Sequence, residues 1–348
     1  MMSKTRASVA LIFGGRGYER EVSVRGAENL YRLIPNEKYD ITPVFIDRRG
    51  RFFMPIESAL PSHIARGEVA VREVFPMQQN GRGGFGFLGG FLPIAAAWPL
   101  LHGNFGEDGV VQGALECANI RYVGCDTVAS ATARDKMTVK AIASSLEIPV
   151  APGVLCQRGE TESAAEQAEE LLGYPMFVKP CRLGSSIGAG VARDRRELYS
   201  TLEHALSLDG RAVIEKKINI KKELECAYFA AGGKELVTPP GEILAHGFYD
   251  YDKKYKSAGA TVSECAAVSE SDKEKVRGYA AQLVCAVGLR DLSRLDFFLS
   301  DAGEIYFNEI NTMPGFTETS LYLRLLSHSG ISQAEAASAL IDGAMARG

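Results

Sequence analysis

The feature that most constrains the fold is a predicted β-hairpin near the end of the chain. Two runs of alternating apolar residues, Leu295–Leu299 and Ile305–Ile310, flank a short segment, Asp301–Gly303, whose residues favour a tight turn. Side chains alternate between the two faces of a strand, so the hairpin register decides which polar residues face each other. The sequence therefore predicts two antiparallel strands with one strongly polar face.

The polar residues of this hairpin would gather on that one face. With the turn centred between residues 302 and 303, Asp296 lies opposite Glu309 and Arg294 lies opposite Asn311. Carboxylates and an amide beside an arginine are costly to bury unpaired, and a hard divalent cation holding phosphate oxygens would neutralise them. The pattern favours Mg-nucleotide chemistry. The alternative is an exposed hairpin held by surface salt bridges.

Length and composition exclude several classes of protein. The 348 residues are too many for one ordinary core and suit two or three domains. A net charge of -4 gives no electrostatic basis for binding nucleic acid or an anionic membrane. The first apolar run, Val9–Phe13, is too short for a signal peptide or a membrane span. The 7 cysteines are scattered without metal-type spacing, so we expect a cytoplasmic protein with reduced thiols.

The N-terminal third predicts a doubly wound α/β sheet. The apolar run Ala7–Phe13 suits a central parallel strand, and a helix is predicted over about residues 23–33. Further apolar runs at Ile41–Ile46 and Ile94–Leu101 continue the alternation of strands and helices. Ligands of such sheets bind at the carboxyl ends of the strands. The glycine-rich segment Asn80–Gly90 is interpreted as a connector or hairpin, because it lacks a phosphate-loop lysine.

A charged cluster precedes the first predicted helix. The N-terminus of a helix by itself favours an anionic partner over a cationic one. The carboxylate of Glu19 adds a negative charge at this end, and it would attract a positively charged ligand group such as a substrate ammonium. The alternative is that these carboxylates only cap the helix, with Ser23 as another candidate cap.

A second domain is predicted after the N-terminal sheet. It begins near Gly124–Asp126 and continues with a helix over Ala129–Leu146. The strand Tyr174–Pro180 would deliver Lys179 to a small-residue loop, Cys181–Gly188. The backbone N–H groups of that loop could fold over phosphates. A later strand ends at Glu215, where carbonyls and a carboxylate suit an adenine edge and ribose hydroxyls. Taken singly, each charged side chain here could instead be a solvated surface charge.

Six motifs, in order along the chain, resemble the D-alanine-D-alanine ligase family of the ATP-grasp superfamily. They are GGRGYEREVS, LHGNFGEDGVVQG, GCDTVASATARDK, FVKPCRLGSSIG, FYDYDKKY and RLDFFLSDAGEIYFNEINTMPGFT. The resemblance implies an α/β (α+β) ATP-grasp fold and the ATP-dependent, ADP-forming joining of two D-alanine molecules through a D-alanyl phosphate, for peptidoglycan synthesis. It also implies Mg²⁺, with Mn²⁺ as an alternative, a homodimer, and no nucleic-acid or membrane partner.

The resemblance also divides the chain. We expect an N-terminal α/β domain over residues 1–124, a central ATP-grasp subdomain over 125–214 and a C-terminal catalytic domain over 215–348. Residues 248–263 are expected to form a lid that keeps water away from the acyl phosphate, the alternative being an ordinary long surface loop.

Each motif position that matches the family pattern is assigned the family's role. The catalytic positions are Glu19, Ser185, Ser320, Arg294, Tyr255 and Lys254. The substrate-binding positions are His102, Gly315 and Leu321. The nucleotide-binding positions are Lys136, Lys179, Ser186, Glu215, Lys216 and Glu223. The metal ligands are Asp296, Glu309 and Asn311.

In this pattern Glu19 holds the ammonium of the first D-alanine and forms a hydrogen-bonded triad with Ser185 and Tyr255. Arg294 lies beside the reacting carbonyl, and Lys254 reaches the γ-phosphate from the lid.

Some positions depart from the family pattern and leave alternatives open. The segment before Glu223 lacks a frequent glycine, so Glu225 is a substitute candidate for the ribose role. Tyr322 stands where valine-proline is frequent, which leaves D-serine and D-lactate as alternative acceptors. Leu321 favours D-alanine, because it offers no partner to a serine hydroxyl. A nucleotide-binding regulatory protein without catalysis is the rival from another class, and the retained metal and substrate positions disfavour it.

Overall fold

The computed structural model describes residues 6–244 and 261–347. Lys254, Tyr255 and most of the predicted lid lie outside the described residues. The strands are β1 (Ala7–Gly14), β2 (Tyr39–Ile46), β3 (Phe52–Pro55), β4 (Val71–Gln79), β5 (Arg82–Phe87), β6 (Gly90–Pro93), β7 (Ala96–Pro99), β8 (Gly153–Gln157), β9 (Met176–Pro180), β10 (Gly190–Ala192), β11 (Arg211–Lys216), β12 (Ile220–Ala231), β13 (Lys234–Val237), β14 (Gly241–Leu244), β15 (Thr261–Ser263), β16 (Leu292–Ser300) and β17 (Ile305–Asn311).

The described helices connect and cover these strands. They are α1 (Arg20–Leu33), α2 (Pro61–Ala65), α3 (Val110–Cys117), α4 (Thr127–Arg134), α5 (Lys136–Ser145), α6 (Thr161–Leu171), α7 (Arg195–Leu208), α8 (Glu270–Val287), α9 (Leu321–His328) and α10 (Gln333–Ala346). None of them combines the length and the apolar character that crossing a membrane requires.

The first sheet has the strand order β6-β5-β4-β3-β2-β1-β7. β1 pairs in parallel with β2 and β7, which confirms the predicted central strand, and β3 to β6 extend the sheet as an antiparallel meander. The glycine-rich segment after residue 79 forms the turn and second strand of the β4–β5 hairpin. The loops after β1 and β7 therefore lie next to each other at the carboxyl ends of these parallel strands, as expected.

The other two sheets are mainly antiparallel and enclose the clefts described below. The second sheet has the order β10-β9-β11-β8 and is covered by α6 and α7. The third has the order β15-β14-β12-β16-β17, with β13 paired to β12. α4, α5 and α8 pack on this third sheet in one apolar core. The proposed domain boundaries stay a prediction.

The β16–β17 hairpin has the predicted pairing of its polar residues. Arg294 pairs with Asn311 and Asp296 pairs with Glu309. Next to the turn the pairing is shifted by one residue from that expectation, since Leu299 pairs with Ile305 and the turn is centred on Ala302. A β-bulge between residues 296 and 297 restores the expected register at the site.

Two local predictions were wrong. Helix α1 begins at Arg20, so Ser23 lies inside it and does not cap it. The Ser23 hydroxyl instead donates to the Leu100 carbonyl (2.5 Å) and accepts from the Gly14 N–H (2.9 Å). The helix expected over 129–146 is two helices, because Asp135 adopts an extended conformation and its carboxylate caps α5 at the Thr138 N–H.

The largest apolar core joins the two ends of the chain. Residues of β1, α1 and β7 share it with residues of α9 and α10. At its centre the ring of Phe316 meets Trp98 edge-on at 5.0 Å and lies 5.9 Å from Tyr322. The C-terminal helices are therefore packed against the first sheet. This packing places the segment before α9 beside the loops of that sheet.

Candidate active site

Two adjoining clefts lie between the sheets. One, which we call the lysine cleft, is defined by Lys136, Lys140 and Lys179 and encloses about 400 Å³. The other, which we call the carboxylate cleft, is defined by Glu19, Glu107, Glu225 and Glu309 and encloses about 860 Å³. Ser185, Glu225 and Glu309 line both clefts, so groups bound on the two sides would meet at a shared wall.

The lysine cleft holds a buried network of charges between the second and third sheets. Glu215 pairs with Lys140 and, at 3.0 Å, with Lys179. Lys179 also donates to the Asn308 side-chain oxygen at 3.2 Å. Lys136 donates to the Leu183 carbonyl at 2.5 Å. Seven lysines and five carboxylates line the described part of this cleft, and the excess of positive charge suits phosphate oxygens.

Burial and neighbouring charges shift the pKa values of this network. Burial lowers the pKa of Lys140 to about 8, in spite of the opposing charge of Glu215. The pKa of Lys136 is also lowered, chiefly by burial and against the attraction of Glu309. Burial alone would raise the pKa of Glu215, but Lys140 and Lys179 outweigh it and the pKa is lowered. The carboxylate is therefore held ionised among the lysines.

The polar face of the β16–β17 hairpin forms the shared wall. Arg294 donates to both carboxylate oxygens of Asp296 (2.8 and 2.7 Å) and pairs with Glu225 at 3.1 Å. Asn311 donates to Asp296 at 3.1 Å. Glu309 lies 3.3 Å from Lys136. Burial lowers the pKa of Arg294, but the surrounding carboxylates, Asp296 foremost, raise it well above the ordinary value, so the guanidinium stays charged.

The carboxylate cleft brings together loops that are far apart in the sequence. The Ser185 hydroxyl donates to the carboxylate of Glu19, which stands at the start of α1 and is 8% exposed. The ring of His102 is also buried, with its Nδ1 atom 3.1 Å from the Met313 carbonyl oxygen and 3.8 Å from Glu107. A buried carboxylate facing this cleft suits a substrate ammonium, as the sequence predicted.

The two ring nitrogens of His102 differ in their contacts. Among the described residues its Nε2 atom is buried and makes no hydrogen bond. Burial lowers the pKa of His102, but the nearby carboxylates of Glu107 and Glu19 and the Met313 carbonyl outweigh it and the pKa is raised. An imidazole N–H at this position is available to a bound anionic group, because a buried donor is costly to leave unpaired.

The far end of the carboxylate cleft is built by the segment before α9. The Ser320 hydroxyl accepts from the Thr317 N–H at 3.0 Å. A Cβ added at Gly315 would lie 2.9 Å from that hydroxyl, so a side chain there would crowd the cleft. Leu321 is buried and lines the same wall. The three predicted second-substrate positions are thus adjacent in the structure.

The remaining predicted positions that the structure describes lie in the lysine cleft or on the shared wall. Ser186, Lys216 and Glu223 line the lysine cleft together with Lys136, Lys179 and Glu215. Glu225, the substitute candidate for the ribose role, pairs with Arg294, so its carboxylate belongs to the shared wall. That contact counts against the ribose role and leaves Glu223 as the ribose candidate.

Sequence reasoning missed four polar residues of the site. Lys140 lies one helical turn after Lys136, and this i,i+4 spacing was the available signal. Glu107 and Arg134 lie inside motifs that were recognised, but neither was given a role. Asn308 reaches Lys179 at the β-bulge, which no sequence pattern indicated.

The hairpin face offers the donor atoms that a hard divalent cation prefers. Asp296, Glu309 and Asn311 supply carboxylate and amide oxygens beside the lysine cleft. The residues present therefore fit Mg²⁺ bound together with a nucleotide. Within residues 6–244 and 261–347, no three His, Cys, Asp or Glu side chains cluster as metal ligands.

Two antiparallel sheets that enclose a lysine-lined cleft, next to a carboxylate hairpin, define an ATP-grasp protein. Comparison with known proteins gives the family. Residues 8–125 match the N-terminal domain and residues 142–342 the C-terminal domain of D-ala D-ala ligases. This chain belongs to the D-alanine-D-alanine ligase family.

Individual relatives match along nearly their whole length. The D-alanine--D-alanine ligase of Heliobacterium modesticaldum is 36% identical, with 100% of this chain and 96% of the relative covered. D-alanine--D-alanine ligase A of Mesorhizobium japonicum is 38% identical, with 100% and 99% covered. Among solved structures, the VanG D-Ala:D-Ser ligase of Enterococcus faecalis is similar with a TM-score of 0.87, 32% identity and coverage of 98% of this chain and 100% of that chain.

Proposed function

We propose that this protein is a D-alanine-D-alanine ligase, which joins two D-alanine molecules at the expense of ATP and releases ADP for peptidoglycan precursor synthesis. The observation that carries the proposal is the contact between Ser185 and Glu19. It closes the carboxylate cleft, where an ammonium would bind, against the loop that also lines the lysine cleft, where phosphates would bind. An amino acid and a nucleotide would therefore react across one shared wall.

The first step is activation of a carboxylate, which is a poor electrophile. Glu19 holds the ammonium of the first D-alanine and directs its carboxylate toward the shared wall. Lys136 and Lys179 bind the phosphates of ATP. The carboxylate of the first D-alanine then attacks the γ-phosphate, which yields D-alanyl phosphate and ADP. His102 offers its unpaired Nε2 atom to the first substrate.

The second step is attack by the amine of the second D-alanine on the acyl carbon. Arg294 stays charged and lines the carboxylate cleft, where it stabilises the developing oxyanion. Gly315, Ser320 and Leu321 bound the position of the second substrate. The tetrahedral intermediate then collapses: the bond between the acyl carbon and the phosphate oxygen breaks, inorganic phosphate leaves, and the amine loses its proton to give the peptide bond.

Asp296, Glu309 and Asn311 would hold Mg²⁺, or Mn²⁺ in its place. When bound, the metal ion would offset the charge of the phosphoryl oxygens. These residues keep their carboxylate and amide oxygens on the wall where the γ-phosphate would lie.

Other parts of the proposal rest on the resemblance. Residues 248–263 act as a lid, in which Lys254 reaches the γ-phosphate and Tyr255 completes the triad with Glu19 and Ser185. The protein is a cytoplasmic homodimer. If the lid closes over the ligands, protease cleavage within it should slow when ATP and a substrate analogue are both bound. The homodimer is tested separately, by measuring the mass of the protein in solution with light scattering.

The decisive experiment is product analysis with purified protein, ATP and Mg²⁺. With D-alanine alone, we expect stoichiometric ADP and D-alanyl-D-alanine. Omission of D-alanine should reduce ADP release to background, and L-alanine at the same concentration serves as the control. ADP release that does not depend on any amino acid would refute the proposal.

A D-alanine-D-serine ligase is the second candidate, because a solved structure with that activity is similar over 98% of this chain. The apolar side chain of Leu321 lines the cleft and supports D-alanine as the acceptor, since it cannot pair with a serine hydroxyl. Equal concentrations of D-alanine, D-serine and D-lactate in one reaction separate the candidates by the masses of the products.

A further inference from the structure

Arg134 is a buried arginine that the mechanism above does not use. It ends helix α4, directly before the extended residue Asp135, and is 9% exposed. Its guanidinium lines the carboxylate cleft. Burying a charged group is costly unless it is paired, so the contacts of Arg134 indicate what its position accomplishes.

On one side, Arg134 holds the loop that follows β7. Its Nη1 atom donates to Glu107 at 2.9 Å, and its Nη2 atom donates to the Asn104 side-chain oxygen at 3.3 Å. Glu107 also accepts from the Gly103 N–H at 3.2 Å and faces the ring of His102. Arg134 thereby orients the carboxylate that stands behind the first-substrate histidine.

On the other side, Arg134 holds the loop that carries Ser185 and Ser186. Its Nε atom donates to the Arg182 carbonyl at 2.7 Å. A Cβ added at Gly184 would lie 3.3 Å from Nη1 of Arg134 and 3.7 Å from the Glu19 carboxylate, which shows how closely the backbone passes. The guanidinium therefore touches both loops at once.

The second loop needs such support. Ser185 and Ser186 have φ angles of 53° and 57°, a conformation that non-glycine residues rarely adopt and that persists only where neighbours enforce it. Lys136 holds the same loop through the Leu183 carbonyl. Arg134 and Lys136, two positions apart, thus fix adjacent carbonyl groups, but only Arg134 also reaches the loop after β7.

We propose that Arg134 is a positioning residue that couples binding of the first amino acid to binding of the nucleotide. Ligand contacts that order the loop after β7 keep the guanidinium in place, and the guanidinium keeps the Ser185–Ser186 loop in its phosphate-binding conformation. The free-energy cost of ordering the two loops is borne by whichever ligand binds first. Each ligand therefore binds more tightly when the other is present. The inference rests on the proposed function, because it takes D-alanine and ATP as the two ligands.

The test is a binding measurement that does not depend on turnover. A non-hydrolysable ATP analogue with Mg²⁺ is titrated into the full-length protein with and without saturating D-alanine, and the ratio of the two dissociation constants is the coupling factor. For the native protein we expect a factor of about 5 or more, the usual range for coupled sites. For Arg134→Met, which removes the charge and the donors but keeps much of the volume, we expect a factor close to one.

Two further variants keep the test decisive. Arg134→Lys retains the charge, but a single ammonium cannot form the divergent contacts of the guanidinium, so its factor should also fall. Arg290→Met is the matched control. Arg290 is a partly buried arginine that donates to the Gly124 carbonyl at 2.8 Å and lines neither cleft, so the coupling factor should match that of the native protein.

The outcomes separate this inference from the proposed function. A native coupling factor of one in a protein that makes D-alanyl-D-alanine overturns the inference and leaves the function intact. A native-like factor in folded Arg134→Met, or in Arg134→Lys if the methionine variant does not fold, overturns it as well. Absence of D-alanine-dependent ADP release from the native protein refutes the function, and the inference with it.

Discussion

The lysine cleft and the carboxylate cleft are built in different ways. The lysine cleft is lined by described residues from Lys136 onward, which belong to α5, to the second and third sheets and to the loops beside their strands. The carboxylate cleft also takes residues from α1 and from the loop after β7 of the first sheet. The Glu19–Ser185 contact joins residues 166 positions apart, and the contact between His102 and Met313 joins residues 211 apart.

This difference shows which of the two clefts depends on the packing between the sheets. Ion pairs between Lys140 on α5 and Glu215 on the second sheet, and between Glu215 and Lys179 on that same sheet, keep the lysine cleft assembled. The carboxylate cleft exists only while the first sheet, the Ser185 loop and the segment before α9 stay in contact. Changes at those contacts should weaken amino-acid binding more than nucleotide binding.

The largest effect is expected from Phe316→Ala. Phe316 is fully buried between Trp98 and Tyr322, so truncation should cost about 3–5 kcal/mol of unfolding free energy. Because the Phe316 side chain anchors a segment whose neighbouring residues, Gly315 and Thr317, line only the carboxylate cleft, the KM for D-alanine should rise while the Kd for ATP changes little. Denaturant unfolding and substrate kinetics measure both effects.

Phe85→Ala is the control for this prediction. Phe85 is equally buried in the core of the first sheet but lines neither cleft, so stability should fall without a selective change in the KM for D-alanine. If Phe316→Ala weakens both ligands equally, the two clefts do not differ in their dependence on packing.

Glu309→Gln tests the wall that the two clefts share. A neutral amide cannot balance a metal ion, and it also leaves the buried Lys136 less compensated. Since even outer-shell partners typically contribute roughly 10–100-fold to metal affinity, we expect the Mg²⁺ requirement of turnover to rise by about 100-fold or more. Initial rates across a magnesium titration provide the measurement.

Glu304→Gln, an exposed change on the same hairpin, should leave the magnesium dependence as it is. Near-native turnover of Glu309→Gln at limiting magnesium would remove Glu309 from the metal site.

Glu19→Gln should affect the carboxylate cleft alone. The variant keeps the size and most hydrogen bonding of the side chain but removes the charge opposite the substrate ammonium. A charge-assisted hydrogen bond contributes roughly 1.5–3 kcal/mol, so first-site D-alanine affinity should fall about 10-fold to 150-fold. Isothermal titration with D-alanine and, separately, with ATP measures the effect.

The exposed neighbour Glu21 on the same helix gives the control variant Glu21→Gln, for which we expect no change. Loss of ATP affinity with intact D-alanine affinity in Glu19→Gln would assign Glu19 to the nucleotide side instead.

The smallest effect is expected in the pH dependence of stability through His102. Its pKa is raised in the folded protein, so its contribution to stability is fully present below the unfolded value of 6.5 and is lost as the pH rises through the folded value. His102→Asn should therefore lack this decline. Urea unfolding of both proteins at a series of pH values from 5 to roughly 9 shows the difference.

His204→Asn, at an exposed position on α7, should keep the native pH profile. A decline of the same size in His102→Asn would mean that other groups cause it.

The sequence predicted the hairpin pairing and the strand that carries Lys179, because their signals are local. Alternating apolar residues around a turn gave the pairing of Asp296 with Glu309, and a strand followed by small residues gave Lys179 and its loop. The register was right although the assumed turn was not, because the bulge at residues 296–297 compensates. A bulge has no sequence signature strong enough to be predicted.

The sequence by itself determined the family, the parallel strand at the N-terminus, and part of the set of charged residues in the clefts; it did not indicate Lys140, Glu107 or Arg134. Only the tertiary structure decided the partners of those charges. Ser23, a candidate cap, is buried against Leu100, and Arg134 bridges two loops. The physical reason is that periodicity and turn chemistry act over a few residues, whereas a buried charge is stabilised by whichever distant group the packing of the sheets brings within reach.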